Sequence, residues 1–225
     1  MLAAFERVLV VCAVPAERDA VATATRGMGP RVEVVAGGVG PAAVAASTTA
    51  SLLTARHAGR PYDLVVAAGI AGGFAAGGVH VGDTVVADRI VAADLGAELP
   101  PTPQSPAGFA SVADLGFGAV EHRPPPAVVS AAAEAAGART GAVLSVSTTT
   151  GTDERAAQLL ARHPDAAAEA MEGFGVAEAV AAHSAPTPVL EVRTVSNAVG
   201  LRDRAAWRIP QALTALSTAF GKLAG

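Results

Sequence analysis

The stretch DLVVAAGIAGG, residues 63–73, decides the fold. Its first part, Asp63–Ala68, is apolar after the leading aspartate and lacks polar–apolar alternation, which predicts a strand buried on both faces of a sheet. We expect this strand to end at Gly69. The segment that follows, Gly69–Gly73, carries no side chain larger than Ile70. It falls beyond the carboxyl end of the strand, where open α/β sheets bind their ligands.

Similar apolar runs, separated by helical stretches, extend from this strand in both directions. They predict further strands at Arg7–Ala13, Arg31–Ala36, Thr84–Ala92, Ala142–Ser147 and Val189–Val195. Helices are predicted after Pro15 and over residues 41–57, 127–138, 153–162, 172–183 and 203–222. This alternation predicts an α/β fold: a single domain over residues 1–225, with three α/β/α layers around a central mixed, mostly parallel, twisted sheet. Residues 100–126 are the one irregular stretch, and loops of that length are usually functional or disordered.

The composition excludes several classes of protein. Hydrophobic residues make up 51% of the 225 residues and charged residues 16%, which excludes a disordered chain. The net charge of −4 argues against a nucleic-acid-binding protein, because such proteins present a basic face. The single cysteine, Cys12, excludes an internal disulfide framework. With one cysteine and five histidines that lack paired ligand spacing, we expect no dedicated metal site.

The apolar run near the N-terminus does not indicate membrane insertion. Glu6 and Arg7 precede it directly, Pro15 follows it, and it is shorter than a spanning helix requires. It also lacks the layout of a cleavable signal peptide. We therefore expect a cytoplasmic protein with no membrane partner, in the reducing compartment that a lone cysteine fits.

A glycine-rich turn superficially resembles a dinucleotide-binding motif. Residues 38–43 (GVGPAA) follow a predicted strand and open a predicted helix, in the pattern GxGxxA. However, no acidic residue ends the next strand, where a ribose would need one, since Asp63 lies before that strand. We interpret the motif as a tight turn that packs the helix close to the sheet.

The carboxyl ends of the predicted strands carry the polar groups. The first strand leads to Glu17, and the last carries Arg193 and leads to Ser196 and Asn197. Glu172 lies at the start of the helix predicted over residues 172–183. Two carboxylates, one guanidinium and one amide can thus converge on one pocket. No GxSxG nucleophile elbow occurs in the sequence, and Cys12 has no histidine at a neighbouring strand end.

Five segments in a fixed order carry a family resemblance that covers nearly the whole chain. They are Ala13–Glu17 (AVPAE), Gly69–Gly73 (GIAGG), Val81–Val86 (VGDTVV), Met171-Glu172 and Arg193–Asn197 (RTVSN). Together they resemble the nucleoside phosphorylase/nucleosidase superfamily, most closely the methylthioadenosine/S-adenosylhomocysteine nucleosidases. Within it, Met171–Gly175 and Arg193–Gly200, followed by Arg202-Asp203 and Trp207, resemble the futalosine hydrolases. That resemblance implies a nucleoside phosphorylase-like fold without a cofactor. It also implies hydrolysis of futalosine to hypoxanthine and dehypoxanthinyl futalosine in menaquinone biosynthesis.

The resemblance also implies a role for each charged residue. Glu17 corresponds to the general base that takes a proton from water, although a solvated acid in a first helical turn is the alternative. Arg193 corresponds to the residue that helps orient that water. Glu172 corresponds to the carboxylate that accepts hydrogen bonds from the ribose hydroxyls and stabilises the developing cation, although a carboxylate at a helix N-terminus is the alternative. Met171 corresponds to an apolar contact beneath the ribose, although a core position is the alternative for a methionine.

Asn197 departs from the pattern of the adenine-specific relatives, and the difference concerns which purine the site binds. Adenine-specific nucleosidases of the superfamily have aspartate at this place. An amide cannot act as a general acid, but it can both donate and accept hydrogen bonds, which suits a 6-oxopurine. The alternatives are an asparagine at a helix entry without base contact, and an enzyme for methylthioadenosine or S-adenosylhomocysteine, which Asn197 disfavours.

Two further alternatives are a purine nucleoside phosphorylase and a non-catalytic nucleoside-binding protein. Phosphorylases need basic residues for phosphate, yet Gly37–Gly40 carries none and Ile70 stands where a hydroxyl would assist. Arg89 and Arg193 are still available to bind phosphate, so the phosphorylase alternative remains open. The non-catalytic alternative is disfavoured because charged groups in apolar strands and helix starts are costly to bury without use.

The resemblance implies further substrate contacts and a second subunit. Substrate contacts are expected from Ile70, Ala71, Gly72, Gly151, Thr152 and Trp207, although a core position is the alternative for the tryptophan. Arg202 and Arg204 either receive a carboxylate on the 5′ substituent or lie solvated on the surface. Relatives bring a loop from a second subunit over the 5′ end of the substrate, and residues 103–109 resemble the end of that loop. A homodimer or larger homo-oligomer is therefore expected, with contacts from helix 41–57 and residues 113–117.

Overall fold

The computed structural model describes residues 1–100 and 108–225. The predicted partner loop, residues 103–109, lies outside this part of the chain except for its last two residues. The described residues form ten strands: β1 (Val8–Cys12), β2 (Val32–Ala36), β3 (Leu64–Gly73), β4 (Thr84–Ala92), β5 (Gly96–Glu98), β6 (Phe109–Ser111), β7 (Glu121–His122), β8 (Arg139–Ser145), β9 (Ala166–Ala170) and β10 (Val189–Ala198). Their α-helices are α1 (Pro15–Ala24), α2 (Pro41–His57), α3 (Pro126–Ala136), α4 (Asp153–Arg162), α5 (Gly173–His183) and α6 (Ile209–Ala224).

The main sheet is mixed and mostly parallel, which confirms the predicted fold class. Its strand order is β2-β1-β3-β9-β8-β4-β10, with β7 paired to β4. The strand β3 also pairs with β10, so that β3, β9, β8, β4 and β10 form a closed ring. The pairs β10–β4, β3–β9 and β4–β7 are antiparallel, and the other pairs of this sheet are parallel.

Two helical layers cover the sheet. One core lies between the strands and helices α1, α3 and α6, where Val21, Val129 and Phe220 are buried. A second core lies against α2 and α5 and includes Leu52 and Val176. Both faces of β1 and β3 are therefore buried, which explains why their sequences are continuously apolar.

Two strands run further than the sequence predicts, and both extensions matter for the site. The strand β3 continues through Gly69–Gly73, and β10 continues to Ala198. The expectation that they end at Gly69 and Val195 is wrong because these segments pair with each other in parallel, from Arg193 opposite Gly69 to Ala198 opposite Gly73. The glycine-rich segment is thus part of the sheet rather than a turn beyond it.

Other differences have local causes. The sequence of β9, AAAEA, has no β-branched residue, so it was not predicted as a strand and forms only because β8 and β3 flank it. The last helix begins at Ile209 rather than at residue 203, since Pro210 suits a first turn. Residues 204–206 form a separate 3-10 turn. In the part of the chain that the structure describes, no helix combines the length and apolar character needed to cross a membrane.

Candidate active site

Glu17 lies in the first turn of α1, directly after the carboxyl end of β1. It is only 3% exposed, so the alternative of a solvated acidic residue is wrong. Its Oε2 accepts hydrogen bonds from the backbone N–H groups of Ala13, at 3.0 Å, and Val14, at 3.3 Å. Its Oε1 accepts one from the N–H of Ile70 on β3, at 2.9 Å. Three backbone donors from two neighbouring strand regions therefore hold this carboxylate at the edge of the sheet.

Arg193 lies in the middle of β10 and is fully buried. Its Nε donates to Oε1 of Glu191 at 2.8 Å, and its Nη1 lies 3.2 Å from Oε2 of Glu172. Burial by itself lowers the pKa of the guanidinium, but the carboxylates of Glu191, Glu172 and Glu17 outweigh burial and raise the pKa above its ordinary value. Arg193 therefore remains charged in the interior.

Glu172 precedes the first residue of α5 and is 6% exposed. Its Oε1 accepts from the backbone N–H of Gly40 at 3.2 Å, and its Oε2 accepts from the N–H of Met171 at 3.3 Å. Gly40 belongs to the turn that resembles a dinucleotide-binding motif. In this fold, that turn provides a backbone donor for a carboxylate.

These side chains meet at Gly69. A Cβ at this position would lie 2.5 Å from Oε1 of Glu17 and 2.8 Å from Nη1 of Arg193, so only glycine leaves room for both groups. We refer to Glu17, Glu172, Glu191 and Arg193 as the charged cluster. It gathers residues from β10 and from the starts of α1 and α5 at one place in the sheet.

Asn197 lies four residues after Arg193 on the same strand, about 13 Å along it at the usual rise per residue. It is opposite Gly72, beyond an irregularity in the β3–β10 register. Its Nδ2 donates to the carbonyl of Ala198 at 2.9 Å, and its Oδ1 accepts from Oγ of Ser196 at 2.8 Å. The expected alternative, a helix-entry asparagine, is wrong because residue 197 lies within β10.

Four more of the predicted contact residues lie close to these groups. They are Ile70, Ala71, Gly72 and Met171, which lie between the charged cluster and Asn197 or next to one of the two. The backbone of Ile70 holds Glu17, as described above, and the carbonyl of Ala71 accepts from Oγ of Ser196 at 3.2 Å. The amide of Asn197 would lie 3.3 Å from a Cβ at Gly72. Met171 is half-buried and packs against the apolar cluster that contains Phe74 and Leu144.

The segment Thr148–Thr152 lies against the chain that follows β10. The N–H of Arg202 donates to the carbonyl of Gly151 at 3.1 Å, and Nη1 of Arg202 lies 3.3 Å from Oγ1 of Thr149. The hydroxyl of Thr152 caps α4 by accepting from the N–H of Arg155. The hydroxyl of Thr152 and the carbonyl of Gly151 are therefore both hydrogen-bonded within the protein.

A buried carboxylate that the sequence did not single out fixes this segment. Glu169 on β9 is 6% exposed, and Oε1 accepts from the N–H of Thr150 at 2.8 Å. The hydroxyl of Thr150 donates to Oε2. Burial raises the pKa of Glu169, while the hydrogen bonds from Thr150 oppose that rise.

Trp207 lies just before α6 and is half-buried, so the core alternative is wrong. The guanidinium carbons of Arg202 and Arg204 lie 4.8 Å and 5.9 Å from the centre of its ring, as in cation–π pairs. The N–H of Arg208 donates to the carbonyl of Ser196 at 2.8 Å. This bond ties the tryptophan segment to the end of β10, next to Asn197.

Cys12, the one cysteine, is not placed to act as a nucleophile. Cys12 is buried, and burial together with the Glu17 carboxylate raises the pKa of its thiol, which keeps it protonated. Within residues 1–100 and 108–225, no group of three or more His, Cys, Asp or Glu side chains is arranged to hold a metal ion.

Comparison with known proteins now gives the family. A family model described as the phosphorylase superfamily matches residues 8–224. A futalosine hydrolase of Streptomyces coelicolor is 58% identical over 230 aligned residues, which cover 96% of this chain and 94% of that protein. The chain belongs to the futalosine hydrolases of the phosphorylase superfamily. A second futalosine hydrolase, from Acidothermus cellulolyticus, is 43% identical and covers 96% of this chain and 89% of that protein.

Solved structures confirm the fold of this family member. A methylthioadenosine/S-adenosylhomocysteine nucleosidase of Neisseria meningitidis, in complex with methylthio-immucillin-A, matches with a TM-score of 0.76 at 19% identity. The match covers 97% of this chain and 98% of that one. A futalosine hydrolase of Helicobacter pylori matches with a TM-score of 0.75 at 16% identity and covers 97% of both chains.

The structure thus brings Glu17, Glu172 and Arg193 into contact range and leaves Asn197 further along β10. Sequence reasoning missed Glu191 and Glu169, and it named Ser196 without giving it a role. The signal for Glu191 was present, because Glu191 and Arg193 are charged residues two positions apart in an otherwise apolar strand, and so share one face. Glu169 is likewise the one charged residue in a run of alanines.

Proposed function

We propose that this chain hydrolyses the N-glycosidic bond of futalosine, a 6-oxopurine nucleoside, to hypoxanthine and dehypoxanthinyl futalosine, a reaction of menaquinone biosynthesis. The observation that carries the proposal is the charged cluster, with Asn197 further along the same strand. Charged groups this deeply buried are retained at a cost in stability, which is typical of sites that use them.

Glu172 and Glu17 have different roles at the sugar. As the bond between C1′ and the purine nitrogen breaks, its electron pair moves to the base and positive charge develops on the ribose. The Glu172 carboxylate accepts hydrogen bonds from the ribose hydroxyls and stabilises that charge. Glu17 takes a proton from the water whose oxygen attacks C1′. The water oxygen bonds to C1′, and the proton that Glu17 took is released to solvent while the departing base takes one up, so that futalosine plus water gives hypoxanthine and the free sugar product.

Arg193 orients the attacking water. Its Nη1 and the Oε1 of Glu17 approach the same position beside Gly69, so a water between them can donate to the carboxylate and accept from the guanidinium. Because the guanidinium stays charged in the interior, it holds this geometry throughout the reaction.

Asn197 binds the base. Its amide, oriented by Ser196 and Ala198, presents both a donor and an acceptor to a 6-oxopurine. The backbone of Gly151 and Thr152 borders the same region, as does the ring of Trp207. These groups contact the purine and the 5′ substituent. A site built for the 6-oxo group rejects adenine because a buried polar partner would be left unpaired.

Hydrolysis is favoured over phosphorolysis by the charges of the cluster. A phosphate anion beside Gly69 would lie against the Glu17 carboxylate, and the guanidinium there, that of Arg193, is already paired with Glu172 and Glu191. Arg89, the other cation that kept phosphorolysis open, is paired with Glu121 at 2.9 Å and with Asp165. Water, which is neutral, has no such penalty.

An assay of free hypoxanthine tests the function. Purified protein is incubated with futalosine, inosine or methylthioadenosine, with and without phosphate, and the bases and sugars are separated. We expect hypoxanthine from futalosine without phosphate, and much less product from the other two nucleosides. A strict requirement for phosphate, with ribose 1-phosphate products, or adenine release as the main activity, would overturn the proposal.

We propose further that the active protein is a homodimer or larger homo-oligomer. Val39, Leu95, Leu115 and Phe117 expose large apolar side chains, with Phe117 78% exposed. Leu95 also lines an apolar cavity of about 290 Å³ whose other walls include Pro41 and Ala45 of α2 and Phe174 of α5. Light scattering should give at least twice the monomer mass, and a Phe117→Asp variant should lower it.

A further inference from the structure

Glu191 is the one member of the charged cluster without a role in the proposed function. It lies two residues before Arg193 on β10 and is completely buried. Its Oε1 accepts from Nε of Arg193 at 2.8 Å. Among the described residues, its Oε2 has no hydrogen-bond partner, nor do Nη1 and Nη2 of Arg193, although Nη1 lies 3.2 Å from the Glu172 carboxylate.

The local packing is built around this carboxylate. A Cβ at Gly173 would lie 2.1 Å from Oε2 and 2.3 Å from Oε1 of Glu191. Backbone at the start of α5 therefore approaches Glu191 more closely than any other residue type would allow. Because Gly173 directly follows Glu172, the same contact ties the position of Glu172 to that of Glu191.

The bond at Nε decides where the rest of the guanidinium points. A guanidinium is planar and presents its donors in a rigid fork, so fixing Nε fixes the directions of both Nη groups. One of these lies toward Glu172 and beside Gly69, where Glu17 also reaches. Nη2 is left as an unused buried donor.

The charge of Glu191 matters as well. Burial raises the pKa of this carboxyl, and the adjacent Arg193 opposes that rise, so the cost of burying it is considerable. Its negative charge balances that of Arg193. The carboxylates of Glu17 and Glu172 then remain unbalanced next to the sugar, where positive charge develops.

We propose that Glu191 is a positioning residue for hydrolysis, which fixes the plane of the Arg193 guanidinium so that its Nη groups orient the attacking water. This rests on the proposed function. It predicts that changes at Glu191 act on the chemical step rather than on substrate binding.

The test compares Glu191→Leu with Glu191→Gln, whose amide oxygen can still accept from Nε. With futalosine, we expect kcat of Glu191→Leu to fall about 100-fold and that of Glu191→Gln about 10-fold, with KM within about threefold of wild type in both. All rates are measured at a temperature at which circular dichroism shows each protein folded. Glu33→Gln, which changes a glutamate paired with Arg7 at the other end of the sheet, is the matched control and should keep wild-type kcat.

A second variant keeps the proposal testable if Glu191→Leu does not fold. Gly173→Ala leaves the charge of Glu191 in place but displaces its carboxylate, so kcat should fall about 10-fold or more at little-changed KM. Folded Glu191→Gln and Gly173→Ala proteins with wild-type kcat would overturn the proposal, as would losses confined to KM. Absence of hypoxanthine release by the wild-type protein in the same assay would instead overturn the proposed function.

Discussion

Two glutamate–arginine arrangements at opposite ends of the sheet differ chiefly in burial. At the amino end, Nη2 of Arg7 lies 3.4 Å from Oε2 of Glu33, with side chains 20% and 48% exposed, and the hydroxyl of Tyr62 donates to the same oxygen at 2.6 Å. At the carboxyl end, Nη1 of Arg193 lies 3.2 Å from Oε2 of Glu172, with side chains 1% and 8% exposed.

The difference teaches that burial, rather than pairing, distinguishes the ion pair of the proposed active site. Water solvates the pair at the amino end, so that pair contributes only about 0–1 kcal/mol. At the carboxyl end the charges have lost their water, and removing one partner would leave the other uncompensated at a cost of about 3–5 kcal/mol. Of the two arrangements, only the second leaves buried polar atoms, Nη1 and Nη2 of Arg193, without a hydrogen-bond partner.

Among variants that test this comparison, Glu17→Gln is expected to have the largest effect on activity. The amide cannot take a proton from water, so kcat for futalosine should fall about 10³-fold. Because both oxygens of Glu17 accept backbone hydrogen bonds, one donor loses its acceptor, and the free energy of unfolding should fall by about 1–3 kcal/mol. Steady-state kinetics and urea unfolding measure the two effects. More than a tenth of wild-type kcat would show that Glu17 is not the general base.

The next effect is a change in base selectivity on Asn197→Asp. A carboxyl group can protonate and donate to a purine nitrogen but lacks the amide pair that suits a 6-oxopurine. The ratio of kcat/KM for methylthioadenosine to that for futalosine should rise about 100-fold. Parallel assays of adenine and hypoxanthine release give this ratio. A variant that gains no adenine release and keeps hypoxanthine release would remove Asn197 from base recognition.

Glu169→Gln tests a buried carboxylate of the carboxyl end that lies outside the charged cluster. Burial raises the pKa of Glu169 above its ordinary 4.5, so the folded state favours the protonated form. The contribution of Glu169 to stability is therefore present below pH 4.5 and is lost as the pH rises through the raised pKa.

Glutamine does not titrate and can keep both hydrogen bonds to Thr150. The free energy of unfolding of Glu169→Gln, relative to wild type, should therefore increase as the pH rises from below 4.5 toward neutrality. Urea titrations across this range measure the difference. A difference independent of pH would contradict the assignment of a raised pKa.

The smallest effect is expected from Glu33→Gln at the amino end. The amide oxygen still accepts from Tyr62, and a partly exposed ion pair is lost, so the free energy of unfolding should change by less than about 1 kcal/mol. The kcat for futalosine should stay at the wild-type value. A loss of activity comparable to that of Glu17→Gln would break the contrast between the two ends.

Elements with strong local signals could be predicted from the sequence to the residue. Helix α2, strand β4 and helix α4 have the predicted bounds. Pro41 occupies the first position of α2, and Thr152 caps α4. By contrast, the ends of β3 and β10 and all of β9 depend on pairing between segments distant in the sequence, which intrinsic propensity does not encode.

The candidate site divides in the same way. Glu17, Glu172, Arg193 and Asn197 could be named because their motifs resemble those of a family. Glu191 and Glu169 could not be assigned a role, since their importance follows from complete or nearly complete burial and from the groups they face. A charged residue in an otherwise apolar strand is the sequence signal that identifies such positions.

A crystal structure of the protein with hypoxanthine bound tests the central claim most directly. Our account predicts that the base lies within hydrogen-bond distance of the Asn197 amide and beside the Thr148–Thr152 segment, with its glycosidic nitrogen facing Glu172 and Glu17. Hypoxanthine bound elsewhere, such as in the apolar cavity between α2 and α5, with Asn197 still bonded only to its own strand, would contradict it.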